Sequence, residues 1–420
     1  MNRKDFVHAK TNLSTQKENF MNTQNFRFLL CVLFCLSPAL FIGCERAQDM
    51  GMTDKMVAPS DTTTLPMLKI GLIQPSEHYT SFAKGAKLAQ AEINQAGGVL
   101  GMQVAFIERD NRPASGPFPD PSTAPFTAEV AKELIEMEKV IALLGPVYST
   151  NAVQVAPISQ VPVLPAATGA NVTEAGDFIF LIGVSNAVQA QTMAEFAVNT
   201  LGKKTAATIH QDGDVYSIGL TKAFRENFSQ LGGTIVGDEE VYQVGDTTFS
   251  EQLTRIQTLN PDALFISSFA PEAPLLMKEA RDMGIESVFL GSDGWEGDTF
   301  FTTLADNAPL EGAYYTTSSN DPSTPGAQKF AAAYMAMFGS EADGTALSGY
   351  DAMRILAIAI EAAKSTDPVA VRDAIKGITD YEGGASIARF NEERHAIRIK
   401  GVKIWAIRDG QKVDSAESEE

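Results

Sequence analysis

Residues 140–169 read VIALLG-PVYSTNAVQVAPISQ-VPVLPAATG, and their pattern decides the fold class. An apolar run, VIALLG, stops at a Gly-Pro break. Two hydroxyl residues, Ser149 and Thr150, follow at the start of a helix-forming stretch. A second apolar run, VPVL, ends in Pro165-Ala166-Ala167-Thr168-Gly169. This is one strand–helix–strand unit with hydroxyls at both strand exits. In an open α/β sheet, ligands bind beyond the carboxyl ends of the strands. The first amides of a helix have no partner within it and attract anions. Two hydroxyls beside such amides suit a small carboxylate without any arginine or lysine. The same residues also have ordinary readings: Ser149 or Thr150 as a helix cap, Thr168 as a turn residue.

The alternation extends in both directions. Strand-like runs occur at 68–73 (LKIGLI), 103–108, 178–182 (FIFLI), 205–209, 234–241, 263–267 (ALFIS) and 287–291 (SVFLG). Helical spacing occupies 84–94, 126–137, 187–201, 220–231, 252–259 and 273–283, the first of these closed by Gly97-Gly98. Regular strand–helix alternation predicts an α/β protein with parallel sheets covered by helices on both faces. Such sheets serve enzymes and binding proteins equally.

The 420 residues are 44% hydrophobic and 20% charged, enough for two domains with their own cores. A net charge of −19 argues against nucleic acid as a partner, because phosphates demand a basic face. It also disfavours adhesion to anionic membranes. Residues 28–43 (FLLCVLFCLSPALFIG) are too few to span a bilayer comfortably and suit the core of a secretory leader. They run into Cys44 through Leu40-Phe41-Ile42-Gly43, a sequence that resembles a bacterial lipobox. Cys31 and Cys35 would leave with the leader, so Cys44 would be the one remaining cysteine, and a lipid anchor explains it. Met21 is an alternative start. Loss of 1–43 takes the charge three units further, to −22. Residues 44–65 are polar and aperiodic and read as a tether, reaching about 25 Å as a coil.

Catalytic signatures are missing. There is no G-x-S-x-G, H-E-x-x-H, C-x-x-C or P-loop pattern. His8, His78, His210 and His395 show no metal-ligand spacing. The expectation is a protein without enzymatic activity, cofactor or metal.

The stretch 140–169, with AEINQAGGVLG (91–101), VAFIERDN (104–111) and GYDAMRILAIAI (349–360), resembles the periplasmic leucine/isoleucine/valine-binding proteins, type I solute-binding proteins of ABC importers. The resemblance covers nearly all of 66–411. It implies two Rossmann-like lobes: 66–184 with 318–382, and 185–317 with 383–411, followed by an acidic tail at 412–420. Three chain crossings would join them near 183–186, 316–320 and 381–384.

The resemblance also supplies site residues. Ser149 and Thr168 match the holders of the ligand's α-carboxylate, with Ala166 at a matching position and Thr150 and Ala167 beside them. Asp293, in FLGSDGWEGD, matches the acid that pairs with the α-ammonium; Ser-Asp-Gly is also ordinary turn chemistry. Tyr216, Phe269, Trp295 and Tyr79 are the aromatic candidates for the cleft. No basic residue falls on a matched position, which points to an uncharged side chain. Two features depart from the family. Residues 112–125 (RPASGPFPDPSTAP) form a Pro-rich insertion, and the first loop, 74–82, lacks the usual glycines.

The implied function is a monomeric, lipid-anchored extracytoplasmic protein that passes a neutral or branched-chain amino acid to an ABC permease. The alternatives are a sensor domain of the same fold and a binder of short amides or urea.

Overall fold

The computed structural model describes residues 66–416 apart from 78 and 117. The expected leader, Cys44 and the tether lie outside the described residues. The first lobe begins with β1 (Met67–Gln74), α1 (Ser81–Gln95), β2 (Gln103–Asp110), α2 (Pro125–Glu136), β3 (Leu143–Leu144), α3 (Ser149–Val155) and β4 (Val163–Leu164). The strands are parallel, in the order β2-β1-β3-β4. Ile70, Leu72 and Ile73, like both residues of β3 and of β4, are fully buried, as a sheet covered on both faces requires. Strands β3 and β4 are short, two residues each, for a local reason. Gly145-Pro146 ends β3, and Pro162 and Pro165 bracket β4, each without an N–H for the ladder. Segment 178–182 makes only isolated bridges, Val163 to Ile179 and Leu181 to His395.

The second lobe continues the alternation: α4 (Asn186–Glu195), β5 (Thr205–Gln211), α5 (Val215–Gln230), β6 (Thr234–Tyr242), α6 (Ser250–Leu259), β7 (Ala263–Ser267), α7 (Glu272–Asp282), β8 (Val288–Gly291), α8 (Asp298–Thr302) and β9 (Tyr314–Ser318). The helix expected to begin at Leu220 starts earlier because Asp214 caps it, its carboxylate accepting the Ser217 N–H.

The chain then returns to the first lobe as α9 (Pro325–Phe338), α10 (Gly344–Ala363) and α11 (Pro368–Lys376). Helices α1 and α10 touch backbone to backbone through reciprocal glycines. A Cβ on Gly85 would lie 1.9 Å from the Ala346 carbonyl oxygen, and one on Gly349 would lie 2.0 Å from that of Phe82. Neither position tolerates a side chain at this spacing.

A small antiparallel sheet follows: β10 (Thr379–Glu382), β11 (Ser386–Phe390) and β12 (Ala396–Arg398). It corrects the expected third crossing at 381–384. Those residues form a turn pinned to α10, where buried Asp351 accepts from the Tyr381 hydroxyl (2.6 Å) and from the Gly384 and Ala385 amides (both 2.8 Å). The chain instead passes over at 399–401 into β13 (Val402–Arg408), antiparallel to β9, and then β14 (Gln411–Asp414). The seven-stranded order is β14-β13-β9-β8-β7-β5-β6. The expected tail therefore begins as an edge strand.

One guanidinium gathers the three passages. Arg398 donates to the Ile182 carbonyl (2.9 and 3.1 Å) and to that of Ser319 (3.2 Å). Beside it the Ser318 hydroxyl accepts the Val184 N–H at 3.0 Å.

Candidate functional site

The exit of β3 shapes one wall. Gly145 adopts φ +87°, and a Cβ there would meet the Ile73 carbonyl oxygen at 2.0 Å, so only glycine brings the chain this close to β1. Val147 and an extended Tyr148 follow, and Ser149 opens α3. The Ser149 hydroxyl accepts the Gly169 N–H at 3.0 Å and so joins the exits of β3 and β4. That bond occupies an acceptor and leaves the hydroxyl hydrogen free to donate. Ala166, Ala167 and Thr168 complete this wall.

The opposite wall comes from β8. Asp293 accepts from Gln189 Nε2 at 2.7 Å and from the Tyr216 hydroxyl at 2.8 Å. The Tyr216 oxygen in turn accepts the Gly294 N–H at 3.0 Å. Burial pushes the Asp293 carboxyl above the usual range, and hydrogen bonds from Gln189, Tyr216, Thr168 and Ser292 offset part of that shift. Among the described residues no lysine, arginine or histidine forms an ion pair with it. A buried carboxylate supported only by neutral donors carries an unmet charge.

Aromatic rings close the sides. Tyr148 stands edge-on to Tyr79 (5.6 Å) and to Phe269 (5.2 Å), and Phe269 lies 5.0 Å from Tyr216. The Tyr79 hydroxyl crosses to the Gly294 carbonyl at 2.6 Å. Tyr79 holds φ +49°, a conformation uncommon for a bulky residue. Burial raises the Tyr79 and Tyr216 hydroxyls well above their ordinary range, so both remain protonated donors. The cavity between these walls measures about 40 Å³, room for roughly three waters.

Eight of the ten residues expected from the sequence line this cavity: Tyr79, Ser149, Ala166, Ala167, Thr168, Tyr216, Phe269 and Asp293. Two do not. The Thr150 hydroxyl donates to Asp214 Oδ1 (2.5 Å) and accepts the Val215 N–H (2.9 Å), which clasps α3 to the start of α5. Trp295 is fully buried behind β8, stacked on Phe300 at 5.3 Å and near Tyr315 at 5.9 Å. Sequence reasoning missed Val147, Tyr148, Gly294 and Thr345. Val147 and Tyr148 sit inside the stretch that decided the fold, immediately before Ser149, where a strand exit places them. Thr345, in the first turn of α10, carries no local signal.

A second cavity, of about 90 Å³, lies beside the hinge passages. Glu296, Asp343, Asn320 and Lys412 are among its lining residues. Among the described residues no group of His, Cys, Asp and Glu is placed to hold a metal ion.

A family model described as periplasmic binding protein matches residues 69–408. The chain belongs to the periplasmic binding protein family. It is 27% identical to the Leu/Ile/Val-binding protein homolog 3 of Brucella melitensis over 348 residues, 82% of this chain and 86% of that protein. The leucine binding protein LivK of Thermotoga maritima superposes with a TM-score of 0.75 at 28% identity, over 83% of this chain and 97% of the other. LivJ of Streptococcus pneumoniae, solved with isoleucine, gives 0.72 at 25% identity, over 82% and 97%. These three are named for leucine or branched-chain amino acids. Other solved neighbours of the same fold, such as a solute-binding protein of R. palustris, hold benzoate. The architecture is that of the type I periplasmic binding proteins.

Proposed function

We propose that the cleft of this periplasmic binding protein takes an α-amino acid with an uncharged side chain and delivers it to an ABC permease. One observation carries the reading. Asp293, held by neutral donors and lacking a cationic partner, faces the same cavity as the hydroxyls of Ser149 and Thr168. An α-ammonium meets the first and an α-carboxylate the second. The rings of Tyr79, Tyr148, Tyr216 and Phe269 leave an apolar space for the side chain, the usual composition of a small-molecule pocket. A cavity of about 40 Å³ favours small ligands in this arrangement. A branched side chain requires the rings to withdraw. Ligand would enter with the lobes apart and be trapped as they rotate about the three passages near Arg398. Lipidation at Cys44, suggested by the sequence LFIGC, would hold the protein at the membrane. Incorporation of labelled fatty acid into wild type and its loss in Cys44→Ser tests that anchor.

A thermal-shift screen of the twenty amino acids with acetamide, urea and benzoate tests the ligand class. A specific ligand at a hundredfold its Kd adds about 2.7 kcal/mol of stability. Neutral amino acids should give the largest shifts. Shifts with amides alone would replace this reading by the amide one.

A further inference from the structure

The Pro-rich insertion packs beside the cavity, behind one of its lining rings. Its residues fold on themselves: Asp120 accepts from the Ser122 amide at 2.7 Å through its carboxylate and from the Ala124 amide at 2.9 Å through its carbonyl. The loop then runs directly into α2. From this first-lobe base it touches the second lobe at two points. Buried Gln211, at the end of β5, donates its Nε2–H to the Pro119 carbonyl at 3.0 Å. Gly213, at φ +68°, passes so near Pro121 that a Cβ built on it would lie 2.9 Å from Cγ and 3.9 Å from Cβ. Beside these contacts sits the Thr150–Asp214 clasp. The loop also touches the ligand wall. The Phe118 ring stands edge-on to Tyr148, with centroids 5.4 Å apart and planes at 90°. Tyr148 is one of the rings that line the cavity and leans on Phe269 of the second lobe.

We propose that residues 118–121 form a strap that fastens the closed cleft through Gln211 and Gly213, and that Phe118 is a positioning residue that sets ligand size by fixing Tyr148. The size-setting role rests on the amino-acid reading above; the strap contact does not. The chemistry is economical. A carbonyl and proline rings engage the other lobe without charge, so the fastening is insensitive to salt. The bond from Gln211 forms away from solvent, where a lost partner is felt fully. A strap present only in the closed state slows opening and leaves entry unchanged, so its effect falls on koff.

Three measurements test the proposal. Gln211→Ala should release alanine or leucine about fivefold to tenfold faster, with kon within threefold of wild type. An unchanged koff overturns the strap. Phe118→Ala frees Tyr148 to turn, so affinity across glycine, alanine, valine and leucine should change rank, with leucine gaining at least threefold relative to alanine. A uniform loss across the four marks a merely structural residue and overturns the positioning role. Phe118→Leu, which keeps an apolar contact, should restore much of the wild-type order. The third measurement needs no ligand. Pro121→Cys with Gly213→Cys, in a Cys44→Ser background, places two Cβ atoms at about 3.9 Å, within the range of a disulfide. Oxidation of the unliganded protein should form the cross-link as the lobes close spontaneously. Failure to cross-link overturns the strap, whereas a cross-link in a protein that binds no amino acid keeps the strap and removes the amino-acid reading.

Discussion

Asp293 and Glu296 lie three residues apart, and both are buried acids, yet their surroundings differ. Asp293 is met by Gln189 and Tyr216 at 2.7 and 2.8 Å. Glu296 accepts a long bond from the Gly344 N–H at 3.3 Å. Burial raises both carboxyls. For Glu296 the next cause is repulsion from Asp343, with Lys412 opposing it, and the rise is large. For Asp293 the causes after burial are hydrogen bonds that lower it. Both acids are shifted toward the neutral form, but one is ringed by donors that oppose the shift and favour its charged state. The other is eased by taking up a proton. Burial alone does not mark a ligand-binding acid; the donors around it do.

Substitutions should separate the two acids. Asp293→Asn keeps the shape and removes the charge that pairs with an ammonium. Amino-acid affinity should fall by about 2–5 kcal/mol, read by calorimetry, while the melting temperature without ligand stays at or above that of wild type. A change under threefold would reduce Asp293 to a turn residue. The loss of either hydroxyl on the facing wall is smaller. Ser149→Ala and Thr168→Ala should each cost about 1–3 kcal/mol of binding, and unchanged affinity in both would break the assignment of that wall.

The pH dependence divides the two acids further. An ammonium ligand needs ionised Asp293, so amino-acid affinity should rise as pH climbs through the raised titration range of that group. A flat calorimetric profile from pH 4 to pH 8 would contradict it. For Glu296 the readout is stability. Below the ordinary carboxyl range, about 4.3 for glutamate, both folded and unfolded chains are protonated and the group contributes nothing. As pH rises the unfolded chain ionises first, and stability falls until the folded carboxyl also titrates. Glu296→Gln should therefore melt with wild type near pH 4 and above it at pH 8. The gain is of order 1–3 kcal/mol, the usual cost of an ill-partnered buried group. A variant less stable at pH 8 would show that the carboxylate is needed charged.

Much of this arrangement was legible in the sequence, because strand exits in an α/β sheet are fixed by local patterns. The break after VIALLG, the Ser-Thr pair and the turn at Thr168 placed one wall. The SDG turn after SVFLG placed Asp293. The failures have geometric causes. Asp293 to Trp295 form a single tight helical turn, in which residues two apart point about 240° from one another. Asp293 therefore faces the cavity and Trp295 the core behind β8. Ser149 and Thr150 diverge by about 100° on α3, which sends Thr150 to Asp214. The resemblance alone sets the third passage at 381–384, and that stretch does not cross. Its true role is a turn held by Asp351, some thirty residues earlier in sequence but adjacent in space. Thr345 and the Pro-rich strap meet the site only through tertiary packing, which no local pattern announces.

The most direct test of the central claim is a cycle of two ligands on two proteins. Leucine and its deaminated analogue, 4-methylpentanoate, share a carboxylate and a side chain and differ in the ammonium. Calorimetric titration of both into wild type and Asp293→Asn isolates the pairing of Asp293 with that group. The account predicts that wild type binds leucine at least thirtyfold more tightly than the analogue, the lower end of the roughly 2–5 kcal/mol for a buried charge pair. It predicts that Asp293→Asn brings the two ligands within about threefold of each other. An equal preference for leucine in both proteins would contradict it.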